Sequence, residues 1–146
     1  MAVNSAAPHL GLTTRFRVEI HGFALGRWSK CEGLSVSFKL ADYVPLGHNG
    51  HVPILPERVA YEKVTLTRAV TAEDSPLVMN WLSAMARGYP AEWAQITLLD
   101  AHDHPVTSWT LRNVYPTKWK GPDLDANSHN VATESLELAH EGFLKE

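Results

Sequence analysis

The histidines of this chain are the residues with the clearest capacity for chemistry. His140 is followed at once by Glu141, which is half of the H-E-x-x-H signature in which two histidines on one helix bind zinc and the glutamate is the general base. Leu144 stands where the second histidine would be. The residues before His140 alternate between apolar and polar, which is typical of a strand and sends His140 and Glu141 to opposite faces. The spacing therefore argues against this type of zinc site.

Two further histidine groups lie in segments whose composition predicts turns. One contains His48 and His51, and the other is the sequence DAHDHP at residues 100–105. Polar side chains are common in turns for backbone reasons, and neither spacing is that of a recognised zinc site. We therefore interpret them as exposed turn histidines and expect no metal and no cofactor. A small metal-dependent hydrolase that uses these turn histidines stays open as an alternative of a different class.

Nucleophilic and acid–base catalysis have no recognisable motif. The chain has no G-x-S-x-G elbow and no local signature around Cys31. Cys31 lies in a strand pattern, where a small buried or half-buried side chain is common. Asp123 and Asp125 flank a turn, and turn chemistry explains them more simply than an acid–base pair. We expect a protein that is not an enzyme.

Length and composition indicate one globular domain. The chain has 146 residues, of which 45 % are hydrophobic and 20 % charged, and its formal net charge is −3. This charge provides no broad basic field for holding nucleic acid. The single cysteine cannot form an intramolecular disulfide, the first residues do not resemble a signal peptide, and no apolar run approaches the ~20 residues of a membrane helix. We expect a soluble protein that folds in the cytoplasm.

Alternating apolar residues predict a mainly β fold, an antiparallel barrel or sandwich of about seven strands with one helix. A turn is expected between Gly22 and Gly26, and a hairpin turn between Asp100 and Pro105. The predicted strands lie within residues 15–23, 27–40, 60–70, 93–99, 106–116, 117–121 and 131–143.

One helix is predicted within residues 73–88. Asp74 or Ser75 can cap its start, Pro76 suits the first turn, and Gly88 suits the stop. Four apolar residues at helical spacing are expected to face the sheet, with Trp81 in the core: Leu77, Trp81, Leu82 and Met85.

The segment from Tyr43 to Arg58 is an unusual loop. It contains three Pro and two Gly, so it cannot be a central strand, yet it is too apolar for a solvated connection. Long apolar loops in compact domains need a partner surface. The candidate contact residues are Tyr43, Val44, Pro45, Leu46, His48, His51, Ile54, Leu55 and Pro56.

Four strings, taken in order, resemble a known family: FRVEIHGF, KCEGLSVSF, ERVAYEKVTLTRAVT and WTLRNVYPTKWKGPDLDANSHNVATESLELAHEGF. Together they resemble the tail-tube proteins of contractile phages and the inner-tube proteins of related contractile injection systems. The resemblance covers about residues 15–143. His140 and Glu141 then match the end of the family's last strand rather than a metal site.

The resemblance implies a small antiparallel β-barrel with a flanking helix. It further implies that six copies form a ring and that rings stack into a hollow tube inside a contractile sheath. The implied partners are other copies of the chain, the sheath, baseplate or spike proteins, terminator or cap proteins, and cargo or nucleic acid that passes through the lumen. After synthesis in the cytoplasm, the chain would become part of a particle that can be released from the cell.

Within this family the chain divides into a mobile N-terminal arm, residues 1–14, and a tail-tube domain, residues 15–146. The arm and the 43–58 loop are the expected contacts between rings, with Leu46, Ile54 and Leu55 as apolar anchors. His48 and His51 depart from the plainer loop expected of the family, and their protonation below a pKa of about 6.5 would weaken stacking.

Two alternatives to a stacked tube remain at this point. A ring-forming effector carrier secreted by a type VI-like system shares the fold. A lectin-like module is conceivable for any β-sandwich, but fold class alone does not argue for it.

Overall fold

The computed structural model describes residues 10–12, 15–41, 50 and 53–145. The mainly β architecture with a flanking helix is confirmed. Along the described residues the elements are β1 (Phe16–Ile20), β2 (Phe23–Trp28), β3 (Lys30–Glu32), β4 (Val36–Leu40), β5 (Pro56–Tyr61), β6 (Val64–Ala69), α1 (Ser75–Met85), β7 (Ala91–Leu99), β8 (Pro105–Lys120) and β9 (Thr133–Ala139).

Seven strands form one antiparallel sheet in the order β2-β1-β7-β8-β9-β6-β3. The two edge strands, β2 and β3, are consecutive in sequence and only Ser29 separates them. The backbone N–H of Ser29 donates a hydrogen bond to the carbonyl of Thr67 in β6 at 3.0 Å. Because the chain steps from one edge directly to the other, the sheet must curl until its edges meet, and it forms a barrel.

The barrel core follows from the alternation in the sequence. In β1, Phe16, Val18 and Ile20 are buried and the residues between them are exposed. Leu136 and Leu138 of β9 are likewise buried. Each fully buried side chain of this size contributes about 1.5–3 kcal/mol relative to solvent exposure, so these faces hold the barrel together.

The helix packs on the barrel through a face slightly different from the predicted one. Val78 and Trp81 are fully buried and Leu82 and Met85 are partly buried, which is the i, i+3, i+4, i+7 pattern of a single stripe. Leu77 is exposed, so the prediction that it faces the sheet is wrong. It lies one position before the stripe and points past the edge of the contact.

The helix start is also stabilised differently from the prediction. Asp74 is the N-cap residue, but its side chain makes no capping hydrogen bond. The Thr71 hydroxyl instead accepts from the Asp74 backbone N–H at 3.0 Å, and the Ser75 hydroxyl accepts from the Thr71 N–H at 3.2 Å. Pro76 lies in the first turn as predicted, and Gly88 has a left-handed φ of +97° that suits the stop.

Two predicted boundaries are wrong. The reversal after β1 needs only His21 and Gly22, so β2 begins at Phe23 inside the segment that was predicted to turn. Residues 117–121 do not form a separate strand, because β8 runs without interruption from Pro105 to Lys120. The predicted turn between β7 and β8 is confirmed.

The predicted strand at 27–40 is broken, and its second part, β4, pairs with β5 as a separate two-stranded sheet. Most of β5 lies in the segment that was predicted to be the 43–58 loop, so the predicted end of that loop is wrong. The break in the strand predicted at 27–40 is at Gly33, which has a φ of +94°. A Cβ on Gly33 would lie 2.0 Å from the carbonyl oxygen of Lys63. Only glycine permits this turn and approach, and they let the β4-β5 hairpin leave the barrel.

Candidate assembly surfaces

The β4-β5 hairpin is amphipathic. Directly opposite residues of an antiparallel pair share a face, and the register pairs Val36 with Tyr61, Phe38 with Val59 and Leu40 with Pro56. One face is therefore apolar along its whole length. We call this face the hairpin ridge: Val36, Phe38, Leu40, Pro56, Val59 and Tyr61.

The outer half of the hairpin ridge is open to solvent. Phe38 is 69 % exposed and Leu40 is 56 % exposed, and Ile54, just before β5, is 74 % exposed. An isolated two-stranded sheet is at best marginally stable in water, and a contiguous exposed apolar patch marks an interaction site. The ridge has the properties of a surface that another molecule covers.

The inner end of the ridge is anchored by the C-terminal segment. The Tyr61 ring meets Phe143 and His140 edge-on, with centroid distances of 5.1 Å and 5.5 Å. His140 Nε2 lies 2.9 Å from the Glu62 carbonyl oxygen, and Nδ1 accepts from the Gly142 backbone N–H at 3.0 Å. These partners assign the neutral tautomer with the proton on Nε2. Both ring nitrogens of His140 are therefore used to hold the hairpin base.

The same contacts set the acidity of His140. Burial of the ring lowers its pKa below the usual value, the hydrogen bond to the Glu62 carbonyl acts in the opposite direction, and the charge of Arg112 lowers the pKa further. Glu141 accepts a hydrogen bond from Asn113 at 3.0 Å. The two residues that suggested a zinc motif thus fasten the C-terminal segment.

A second apolar surface lies beside the helix. A cleft of about 470 Å³ is lined by apolar side chains of α1, of the end of β8 and of the flanking segments, with Glu134 and Ser75 also in its wall. We call it the helix cleft and define it by Val70, Pro76, Met79, Trp119 and Pro122. Val70, Met79 and Trp119 are large apolar residues that remain exposed.

A buried ion pair lies beneath the helix cleft. Arg68 in β6 is 3 % exposed and Glu134 in β9 is 1 % exposed, and Arg68 Nε donates to Glu134 Oε2 at 3.1 Å. The Ser75 hydroxyl donates to the same oxygen at 2.6 Å, and Trp119 Nε1 donates to Oε1 at 3.1 Å. Glu134 thereby links the barrel, the start of the helix and the wall of the cleft.

Arg68 also joins two strands that are not paired with each other. β2 and β6 contact each other but are not neighbours in the sheet. The Arg68 guanidinium donates to the carbonyls of Leu25 and Arg27 in β2 and, at 2.9 Å, to that of Asp74. It also lies over the Trp28 ring, 3.9 Å from the centroid. We call this arrangement the barrel seam, since a side chain closes the barrel where backbone pairing does not.

The predicted contact residues are only partly within the described residues. Tyr43, Val44, Pro45, Leu46, His48 and His51 lie outside them. Ile54, Leu55 and Pro56 are exposed, and Pro56 begins β5 and pairs with Leu40. The argument that proline keeps this segment out of a central strand is consistent with the structure, because β5 belongs to the two-stranded sheet.

Sequence reasoning missed two features of these surfaces. The alternation in VSFKL predicted a strand of the main fold, whereas the start of its partner, Pro56–Arg58, was assigned to the 43–58 loop, so the ridge was not recognised. The seam had no local signal, because Arg68 and Glu134 are 66 residues apart.

In the turn at residues 100–105, Asp100 stabilises the backbone of the turn and Asp103 forms ion pairs with two arginines. Asp100 Oδ1 accepts from the backbone N–H groups of His102 and His104 at 2.8 Å and 2.9 Å. Asp103 accepts hydrogen bonds from Arg27 and Arg15, which lower the pKa of its carboxyl. Within residues 10–12, 15–41, 50 and 53–145, no group of three or more metal-binding side chains is present.

Cys31 is half-buried in β3, as predicted. Burial, with a smaller contribution from the charge of Glu32, raises the pKa of its thiol to about 11. The described part of the chain contains no helix long and apolar enough to cross a membrane.

Comparison with known proteins adds an independent finding. The model of the family described as T4-like virus tail tube protein gp19 matches residues 12–144. A chain of the 6-fold symmetrised anti-feeding prophage (AFP) baseplate is similar, with 26 % identity, a TM-score of 0.71, and 99 % of this chain and 96 % of that chain covered. Comparison with curated proteins gives no significant match.

Two further solved structures share the fold. A chain of the sheath–tube complex of PVC, an extracellular contractile injection system, in the extended state has 19 % identity and a TM-score of 0.74, with 90 % and 87 % of the two chains covered. A chain of the PVC sheath/tube terminator in the extended state has 20 % identity and a TM-score of 0.74, with 98 % of both chains covered.

Proposed function

Because the chain belongs to the T4-like virus tail tube protein gp19 family, we propose that it is a structural subunit of the inner tube of a contractile phage-tail-like injection system. Six copies form a ring, and rings stack into a hollow conduit for cargo or nucleic acid. The observation that carries this proposal is the family match, which extends over residues 12–144. The chain acts by assembly and not by catalysis.

The open hairpin ridge supports assembly. A subunit alone leaves Phe38 and Leu40 in water, whereas a neighbouring subunit in a ring would cover them. A contact between two different surfaces of identical subunits is head-to-tail, and it closes into a ring when the rotation between subunits divides a full turn. Free strand edges of the hairpin would also be protected from uncontrolled pairing.

Contacts between rings are assigned to the 43–58 loop and to the N-terminal arm, residues 1–14, which precedes the barrel domain at 15–146. Ile54 and Leu55 are exposed at the described end of this loop. Apolar residues at such a position would be buried when one ring stacks on the next.

The partner classes follow from the assembly. The similar chains belong to a baseplate, a sheath–tube complex and a sheath/tube terminator, and we assign sheath, baseplate or spike, and terminator or cap proteins as partners of this chain. A net charge of −3 suits a conduit through which cargo or nucleic acid passes without being held. The subunit is made in the cytoplasm and then becomes part of the particle.

Negative-stain electron microscopy of the purified protein, with solution mass from light scattering, tests the proposal. Rings or tubes with an open central channel are the expected result. Rings that never stack, even with sheath and baseplate proteins present, would instead fit the ring-forming carrier of a type VI-like system. A protein that remains monomeric with those proteins present would contradict both.

A further inference from the structure

We propose that the hairpin ridge of one subunit docks in the helix cleft of the next copy of this chain within a ring. The inference rests on the proposed function, because it requires identical subunits side by side. It names the two surfaces that meet, their central residues and the direction of the contact.

The two surfaces match in shape and polarity. The ridge presents Phe38 and Leu40 on a strand pair that projects from the barrel. The cleft is concave and its solvent-facing wall includes Met79 and Trp119. Its volume of about 470 Å³ lies within the range of about 300–1,000 Å³ typical of ligand pockets, which is enough for side chains of this size. Aromatic side chains seated in a desolvated pocket are the usual centre of an interface.

The two surfaces are separate on one subunit. No described residue of the hairpin is among those that line the helix cleft. The ridge is built by β4 and β5, whereas the cleft is built beside α1 and the ends of β8 and β9. A subunit therefore carries one projecting and one receiving surface, which is the arrangement that a head-to-tail ring requires, with neither surface left uncovered.

Charged residues are exposed near both surfaces. Lys39 and Arg58 are exposed on the hairpin, with Glu57 as the opposing charge. Beside the cleft, Glu73 follows the lining residue Ala72 and Asp123 follows the lining residue Pro122.

Asp125 and Lys120 are also exposed next to Pro122, in the pockets that adjoin the cleft. With Glu73 and Asp123 they leave the cleft side net negative. Lys39 and Arg58 alternate with residues of the hairpin ridge and so lie on the opposite face of the hairpin, which leaves the ridge itself uncharged and matched to the apolar side chains of the cleft.

Hydrogen bonds hold the Trp119 wall of the cleft in place before a partner binds. Trp119 is held by its hydrogen bond to Glu134 at 3.1 Å, and Glu134 is held in turn by Arg68 and Ser75. A wall whose orientation is fixed before binding loses little conformational entropy when the partner arrives.

Two variants that each destroy one surface test the contact. Phe38→Asp removes the ridge and leaves the cleft, and Met79→Asp removes the cleft and leaves the ridge. Both side chains are exposed, so both subunits should fold, which circular dichroism and thermal unfolding will check. Tyr89→Asp is the matched control, because Tyr89 is 79 % exposed and belongs to neither surface.

We expect each variant alone to be monomeric by size-exclusion chromatography with light scattering, while wild type and Tyr89→Asp form rings. A 1:1 mixture of the two variants retains one intact ridge and one intact cleft, and should give heterodimers and nothing larger. Rings formed by Met79→Asp alone, or a mixture that remains monomeric, would overturn the contact and leave the tube function intact. Failure of the wild type to form rings even with sheath and baseplate proteins would instead reject the proposed function.

Cross-linking provides a second measurement that does not depend on a disruptive charge. In a Cys31→Ser background, the double variant Phe38→Cys/Met79→Cys should oxidise to a covalent ladder that ends at the mass of one ring. Either single cysteine should give no ladder. Equal cross-linking of the single and double variants would contradict the head-to-tail pairing.

Discussion

At both the barrel seam and the hairpin ridge, strands lack contacts that strands usually make with a neighbouring element. At the seam a side chain of the same subunit replaces these contacts, whereas at the ridge they are left open. At the seam, the buried Arg68 guanidinium supplies the hydrogen bonds that the carbonyls of β2 do not receive from β6. On the hairpin, the apolar face around Phe38 remains open. The seam completes the subunit from within, whereas the ridge leaves it incomplete until another molecule covers it. Stability of the subunit and its capacity to assemble are therefore located in different residues.

The largest effect on the subunit is expected from Arg68→Met. The substitution leaves the Glu134 carboxylate buried without its cation and leaves carbonyls of β2 unsatisfied. Removing one partner of a buried ion pair costs about 3–5 kcal/mol, so the free energy of unfolding measured in urea should fall by that amount. The exposed Arg27→Met should change it by less than about 1 kcal/mol.

A pair of apolar truncations compares the core with the ridge directly. Leu136→Ala removes a fully buried side chain and should cost about 2–5 kcal/mol of unfolding free energy. Phe38→Ala removes an exposed one and should lie within about 0.5 kcal/mol of wild type when both are unassembled. Similar losses at the two positions would mean that the ridge is part of the subunit's own core.

Gly33 lies at the base of the hairpin, between β3 of the barrel and β4 of the hairpin. Gly33→Ala places a Cβ against the Lys63 carbonyl and requires a left-handed φ, which costs on the order of 1–3 kcal/mol. The substitution should also change the direction in which the hairpin projects from the barrel. Ring formation should therefore weaken by more than the loss of unfolding free energy alone would cause. Gly50→Ala, where an added Cβ meets nothing within 4 Å, should leave unfolding unchanged. Normal rings from Gly33→Ala would show that the hairpin direction is not critical.

A smaller, pH-dependent effect is expected where the C-terminal segment holds the hairpin. Burial lowers the pKa of His140 in the folded subunit, so near pH 6 the unfolded chain binds more protons. The free energy of unfolding should therefore fall as the pH drops below about 6.5 and level off below the folded pKa. Urea unfolding between pH 8 and 5 should show this slope for wild type and a flatter one for His140→Gln. The exposed His102→Gln should retain the wild-type slope.

The double variant Leu46→Asp/Ile54→Asp should have the smallest effect on the unfolding free energy of the subunit. It should nevertheless abolish the stacking of rings. Ile54 is 74 % exposed, so its replacement should leave the urea midpoint of the unassembled subunit essentially unchanged. The introduced carboxylates would lose their water and repel one another between stacked rings. Electron microscopy should therefore show rings without long tubes. Tubes of normal length would show that the 43–58 loop is not part of the contact between stacked rings.

Much of the architecture could be predicted because alternation and helical spacing are local. Phe16, Val18 and Ile20 reveal the buried face of β1 from their spacing alone. Pro76 and Gly88 bracket the helix. The resemblance of the strings quoted above to tail-tube proteins agrees with the family match over residues 12–144.

The candidate surfaces were less accessible to sequence reasoning. The exposed apolar residues Ile54 and Leu55 could be identified from the composition of their loop. The ridge could not, because the VSFKL run reads equally well as one face of a barrel strand. The helix cleft forms because the end of β8 lies beside α1. No local sequence pattern indicates that these two elements are close together.

The sequence by itself determined the class of most elements, the identity of the core residues in β1 and β9, and the family. Only the tertiary structure decided where the barrel closes, which strands leave it and which apolar residues remain uncovered. Periodicity shows which side chains share a face, but it does not show which face meets another. That depends on contacts such as Arg68 with Glu134, made between residues 66 apart in the chain, and on a single left-handed glycine that turns a strand out of the sheet.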